Sequence, residues 1–285
     1  MKRESIDRVW LIGSTGRLGA ALTQVLTNKR NYHVITTDKD DIDIRNPHLV
    51  YQFAERNRPD YIIHSAALRD RIKCEEDYEA AYQVHAVGAR NLAIAANNVG
   101  AHLFFLSSDF VFSGEKNEPY HEFDDPHPKT VYGRSKLAGE NFLRDFSERY
   151  TIIRSSWLYG KRALNTIIDE ARTGKVTTSQ ELIGSPTSNM ALAEKIEDLI
   201  GKHEYGTFHL SAEGTCTHQE FVGYLLDKLN IKADFVEPKG DEQFFAMRPK
   251  YQVLDNMMLR LTQQQPMQHW QTDLDRYIKL RKIGG

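Results

Sequence analysis

Ser108, Tyr132 and Lys136 are the residues whose chemistry organises this 285-residue chain. Tyr132 and Lys136 stand four apart in Thr130-Val-Tyr-Gly-Arg-Ser-Lys136, which reads as the start of a helix, so they share one face. Ser108 lies in Ser107-Ser-Asp109, at the end of an apolar run, His102-Leu-Phe-Phe-Leu106. A strand tip there can carry its hydroxyl close to that face. Hydroxyl, phenol and ammonium together suit moving a proton to or from a carbonyl oxygen. The spacing alone says little. Tyr224-Leu-Leu-Asp-Lys228 repeats it in an amphipathic stretch, where it reads as packing plus surface charge. A glycine loop and a strand-end serine precede the first pair and do not accompany the second.

The elements that must position these groups follow in order. Val9-Trp-Leu-Ile12 is a buried-strand pattern, and Gly13-Ser-Thr-Gly16-Arg17-Leu18-Gly19 comes at once after it. Leu18, Leu22, Val25 and Leu26 then recur at helical spacing. Strand, glycine loop and helix match the dinucleotide-binding fingerprint, in which glycines admit a pyrophosphate to backbone N–H donors at a helix start. Tyr32–Thr37 is a second strand ending at Asp38, an acid placed to bond a ribose hydroxyl, which favours NAD. Lys39 and Arg17 lie nearby and suit the 2′-phosphate of NADP. The cofactor is therefore NADPH or NADH, with a slight lean to NADPH. Residues 60–67 form a third strand, whose Ala66 and Ala67 let a nicotinamide ribose come close. Residues 79–98 read as a helix stopped by Gly100, with His85 as a packing residue inside it. Strands at 103–106 and 150–154 complete the alternation.

The pattern predicts an α/β fold: a Rossmann-type doubly wound parallel sheet with a smaller C-terminal α/β substrate lobe. The expected division is residues 1–158 for the NAD(P)-binding domain and 159–285 mainly for the substrate lobe, with some segments returning to the first domain. In the second part, helices are expected near 165–173, 190–200 and 270–278, and a strand at 207–211. Thr217-His-Gln-Glu220 is a capping box opening another helix.

Net charge is −2, from 37 basic and 39 acidic residues, which argues against a general nucleic-acid binder. Two cysteines, Cys74 and Cys216, fit a reduced, cytoplasmic protein. The charged opening residues lead into only a short apolar run, so no signal peptide and no membrane span are expected. The histidines are scattered, and no metal is expected.

The chain resembles the extended short-chain dehydrogenase/reductases, and within them the dTDP-4-dehydrorhamnose reductase family. The resemblance rests on the glycine loop, Asp41-Ile-Asp43-Ile44, Arg58-Pro-Asp60, Ser107-Ser-Asp-Phe-Val-Phe-Ser-Gly114 and Val131-Tyr-Gly-Arg-Ser-Lys-Leu-Ala-Gly-Glu140. Arg154-Ser-Ser-Trp157-Leu-Tyr-Gly160, Ile183-Gly-Ser-Pro-Thr187 and Arg248-Pro-Lys-Tyr-Gln-Val-Leu-Asp255 continue it along nearly the whole chain. It implies an NAD(P)H-dependent reductase of a nucleotide-linked 4-keto-6-deoxy sugar, serving polysaccharide or glycan biosynthesis. Tyr132 would protonate the ketone. Lys136 would lower the phenol's pKa and hold the ribose, and Ser108 would bond the carbonyl oxygen. Gly13, Gly16, Arg17, Leu18, Gly19, Asp38, Lys39, Asp43, Ile44, Ala66, Ala67 and Leu68, with Tyr132 and Lys136, would contact the cofactor. Ser108, Asp109, Tyr132 and Trp157 would contact the sugar. The partner is the nucleotide-diphosphate keto sugar, and a homodimer is the assembly to test.

Departures from the family's pattern cluster on the substrate side. Leu68-Arg69-Asp70-Arg71-Ile72 stands where the family has Tyr-Thr-x-Val-Asp, Phe110 where it has Tyr, and His85 where it has Asn. The loop after Gly160 is shortened to Lys161–Asn165, Glu181-Leu182 replaces Asp-Gln, and Ser188 replaces Tyr. Arg69 and Arg71 suit either a substrate diphosphate or the surface. A UDP-linked 4-keto sugar, an epimerase of the same superfamily and a non-catalytic nucleotide-binding subunit are the alternatives.

Overall fold

Four consecutive apolar residues, Val9 to Ile12, are all buried in Asp7–Ile12 (β1), as a central parallel strand covered on both faces requires. Successive residues enter opposite cores. Val9 and Leu11 pack with Phe104, Ile153 and Phe208, while Trp10 and Ile12 pack with Ile62, Phe105 and Ile152. The strand period of two therefore builds two hydrophobic layers from one sheet. The structure, a computed structural model, describes residues 6–238 and 247–283. The charged opening at residues 1–5 lies outside them.

After β1 come α1 (Arg17–Thr27), β2 (Tyr32–Thr37), α2 (Pro47–Asn57), β3 (Tyr61–His64), α3 (Arg71–Glu76) and α4 (Tyr78–Tyr82). A π-helical turn at Gln83–Val87 leads into α5 (Gly88–Val99). β4 (His102–Leu106), a 3-10 turn at Asp109–Val111, α6 (Val131–Phe146) and β5 (Tyr150–Arg154) follow. The second part holds β6 (Leu158–Tyr159), α7 (Lys161–Ala171), β7 (Lys175–Thr177), β8 (Ile183–Gly184), β9 (Thr187–Ser188) and α8 (Asn189–Leu199). β10 (Gly206–His209), β11 (Cys216–Thr217), α9 (His218–Lys228), β12 (Asp234–Val236), β13 (Tyr251–Gln252), α10 (Met257–Leu261) and α11 (Trp270–Arg281) complete it.

The main sheet has six parallel strands in the order β2-β1-β3-β4-β5-β10. Helices α1 and α8 cover one face, and α2, α5 and α6 the other. The winding direction reverses between β1 and β3, and the crevice beyond the strand ends at such a point is where open α/β sheets bind ligands. Two segments of the second part return to the first: β10 extends the sheet beyond β5, and α8 packs on α1. The Asn189 amide also donates to the Arg17 carbonyl at 2.7 Å, fastening α8 to the glycine loop. β6, α7, Thr177 of β7 and the first turn of α9 line the crevice.

Two expected elements differ in detail. The third strand ends at His64, so Ser65, Ala66 and Ala67 leave the sheet as a loop. The helix expected over 79–98 is broken by the π turn, because His85 points inward to two partners and α6 crosses there at Gly139. A Cβ at Gly139 would collide with the His85 carbonyl.

Candidate active site

The glycine loop is shaped by close contacts. Gly13 has φ +82°, and a Cβ there would sit 2.6 Å from the Ala66 nitrogen. The two strand tips at the switch point therefore touch backbone to backbone. Gly19 does not face the crevice. A Cβ on it would enter the Gly13 carbonyl, so it lets α1 pass close to the loop. Helix α1 starts at Gly16 with no side-chain cap, leaving its N-terminus to an anion. Asp38 is engaged by the loop: it accepts from Ser14 Oγ at 2.6 Å, Thr15 Oγ1 at 2.9 Å and Thr15 N at 3.2 Å.

One cavity of about 1300 Å³ extends from this loop to α9, larger than the roughly 300–1,000 Å³ of a single-ligand pocket. The end at the glycine loop is lined by Gly13, Gly16, Arg17, Leu18, Asp38, Lys39, Asp43, Ile44, Ala66, Ala67 and Leu68. Ser108, Asp109, Tyr132 and Lys136 form its middle, and Trp157, Leu182, Pro186, His218 and Phe221 its far wall. Apart from Gly19, the residues expected to meet cofactor or sugar thus share one space. Small wall residues and an open helix start fit a dinucleotide, and the length leaves room for a second ligand.

Thr130 caps α6 through Gly133 N at 3.1 Å and so fixes where Tyr132 and Lys136 face. Lys136 is 2% exposed, and its ammonium donates to the Leu106 carbonyl at 2.8 Å. Burial pushes its pKa down to about 7, against the pull of Glu140. Tyr132 lines the cavity, and desolvation pushes its phenol up to about 12. The cation that most opposes this rise is Arg71 rather than Lys136. Arg71 lies 4.8 Å over the Phe110 ring, which meets Tyr132 edge-on at 5.4 Å. Ser108 Oγ donates to Asp109 Oδ1 at 2.6 Å.

Below this layer lies a buried ion pair. Glu140, one turn beyond Lys136, takes Arg154 Nε at 2.9 Å and Nη2 at 2.6 Å, and also accepts from Ser107. Burial alone would raise the Glu140 pKa, but Arg154 overrides it and holds the carboxyl low. The pair fixes α6 against β4 and β5 beneath Tyr132 and Lys136.

The model of the RmlD substrate binding domain family matches residues 7–282. The spore coat polysaccharide biosynthesis protein SpsK of Bacillus subtilis is 32% identical, covering 97% of this chain and 98% of that protein. This chain belongs to the dTDP-4-dehydrorhamnose reductase family. The dTDP-4-keto-6-deoxy-D-glucose reductase of Streptomyces niveus is 30% identical over 96% of this chain and 97% of its own. The dTDP-4-dehydrorhamnose reductase of Bacillus anthracis, solved in complex with NADP, superposes with a TM-score of 0.91. It is 36% identical, covering 96% of this chain and 99% of that one.

Within the family, the departures of this chain fall into two groups. Some are structural. His85 Nε2 accepts from Leu68 N at 3.0 Å and its Nδ1 meets Ser135 Oγ at 2.8 Å, so a neutral, fully buried imidazole joins the β3 loop to α6. Ser188 caps α8 and donates to Asp273 at 2.7 Å. Others face the cavity: Leu68, Arg69, Arg71, Phe110 and Leu182. Burial lowers the Arg17 pKa, and the charges of Arg69 and Arg71 add to it. Burial, reinforced by Arg71, takes Arg248 down to about 9. Sequence reasoning missed Glu140, Arg154 and Gln252. Glu140 was within reach, since it repeats the four-residue step from Lys136 along α6. Among the described residues no three His, Cys, Asp or Glu could gather on a metal ion, and no helix is long and apolar enough to cross a membrane.

Proposed function

We propose that this chain reduces a dTDP-linked 4-keto-6-deoxy sugar with NADPH, for polysaccharide biosynthesis. The observation that carries the reading is the placement of Ser108, Tyr132 and Lys136 midway along one cavity, between a dinucleotide cradle and an aromatic wall. The relatives named as dTDP-sugar reductases and the NADP-bound neighbour support it. A reduced nicotinamide supplies a hydride equivalent when bound. Gly13, Gly16 and the start of α1 would hold its pyrophosphate. Lys39 and Arg17 would take the 2′-phosphate, since Asp38 already accepts three bonds from the loop. Tyr132 gives its phenolic proton to the ketone oxygen. Arg71 steadies the phenolate that remains, and Lys136 orients the ribose side of the site. Arg17, Arg71 and Arg248 suit the substrate's diphosphate, whose charge would offset their mutual repulsion. Residues 159–285 serve mainly as the substrate lobe, with β10 and α8 belonging to the first domain.

The test follows nicotinamide absorbance with dTDP- and UDP-linked 4-keto-6-deoxy sugars, each with NADPH and NADH. The expected result is NADPH oxidation with the dTDP sugar and a KM for NADH about tenfold higher. Cofactor binding without oxidation by any sugar would overturn the reading.

A further inference from the structure

Trp157 is held by its own backbone and by three neighbours. Its backbone has φ +40°, which side chains other than glycine seldom adopt. A Cβ at Gly184 would enter its indole ring, so only glycine leaves room for it. His218 meets the ring edge-on at 5.8 Å. The indole Nε1–H donates to Gln252 Oε1 at 2.9 Å. Gly184 and Gln252 are partners in the β8–β13 pairing, so one register supplies both the space for the ring and the acceptor for its N–H.

The other end of Gln252 reaches the reacting groups. Its Nε2 donates to Asp109 Oδ2 at 2.6 Å, and the other oxygen of that carboxylate accepts the Ser108 hydroxyl at 2.6 Å. The amide's orientation follows from its neighbours, because an indole only donates and a carboxylate only accepts. Gln252 is 2% exposed, and Ser156 Oγ donates to its main-chain carbonyl at 2.6 Å, fixing the backbone that carries the amide. Ser108 Oγ also accepts from Phe110 N at 3.3 Å, so its hydroxyl is anchored on both its donor and its acceptor side.

We propose that Gln252 is a positioning residue that ties the Trp157 wall to the Asp109–Ser108 pair, so that seating of the sugar and aim of the Ser108 hydroxyl are set together. This rests on the reading of the cavity as a keto-sugar reductase site. A neutral amide is needed because it must accept at one end and donate at the other. A glutamate there performs both tasks only when protonated, since its carboxylate would face that of Asp109. The charged and titratable groups around this pair are Tyr132 on α6, Arg71 on α3, Arg248 before β13 and His218 on α9.

The experiment compares kcat and KM of wild type, Gln252→Leu, Gln252→Glu and Trp157→Phe, with the double variant Gln252→Leu/Trp157→Phe, across pH. Wild-type turnover is measured first, and its absence overturns the underlying reading and the proposal with it. Given turnover, Gln252→Leu should lower kcat at least tenfold and raise the sugar KM, and Trp157→Phe should cost no further kcat in that background. The isosteric Gln252→Glu keeps the site testable if the leucine variant does not fold. It should be impaired at neutral pH, and its activity relative to wild type should recover as pH falls. A Gln252→Glu profile parallel to wild type, or kcat effects that multiply in the double variant, would overturn the proposal alone.

Discussion

Two Tyr-x-x-x-Lys pairs lie on two helices of this molecule, and only one of them lines the cavity. On α9, Tyr224 Oη and Lys228 Nζ both bond Asp275 of α11, at 3.2 and 2.8 Å. Lys228 is on the surface, and hydrogen bonding to Asp275 raises its pKa. On α6, Lys136 is buried against the Leu106 carbonyl with a lowered pKa, and Tyr132 lines the cavity. Spacing gives both pairs a shared helix face. What differs is what the face meets: another helix's aspartate in one case, strand tips and a glycine loop in the other. The comparison teaches that a four-residue step becomes a catalytic signal only through the element it packs against.

The comparison breaks most sharply at the phenols. Tyr132→Phe should lower kcat by about 10²–10⁴, the usual contribution of a placed proton donor. Tyr224→Phe should leave kcat and KM unchanged in the same steady-state assay. The ion pair under α6 gives the next effect. Glu140→Ala leaves Arg154 buried without its carboxylate and should cost about 3–5 kcal/mol in urea unfolding.

The lysines are told apart by pH. With Lys136 brought down to about 7 by burial, its ammonium is present below that pH and lost above it. The kcat/KM for ketone reduction, which reports the free enzyme, should therefore fall as pH rises through about 7. Lys136→Met should remove that limb, and Lys228→Met should leave it in place. The smallest effect concerns Arg71. Arg71→Val takes away the main cation opposing the rise of the Tyr132 pKa. It should shift the alkaline limb of the reverse oxidation to higher pH and slow reduction about tenfold, the equivalent of one pKa unit.

Much of this was legible in the sequence because it rests on local order. Strand, glycine loop, acid after the second strand and the paired Tyr132 and Lys136 each follow from neighbours in the chain. The capping box at Thr217 and Glu220 is present for the same reason. The π turn at His85 was not legible, since its cause lies in Leu68, Ser135 and Gly139, brought together only by folding. The link from Trp157 through Gln252 to Asp109 was hidden likewise, its members being up to 143 residues apart. Gly19 reads as a ligand contact from its motif, yet its place is set by helix packing against Gly13. Arg71 could be assigned to surface or pocket from sequence, and only the ring of Phe110 beneath it settles its direction toward Tyr132.

The role proposed for the buried pair on α6 is to move the proton of a ketone reduction. Its most direct test is a single turnover, in which enzyme preloaded with NADPH is mixed with the dTDP-4-keto-6-deoxy sugar and the loss of nicotinamide absorbance is followed. Wild type and Tyr224→Phe should each oxidise one cofactor per sugar reduced, while Tyr132→Phe holds NADPH equally well and leaves it unspent. Turnover by Tyr132→Phe at the rate of Tyr224→Phe would contradict the account.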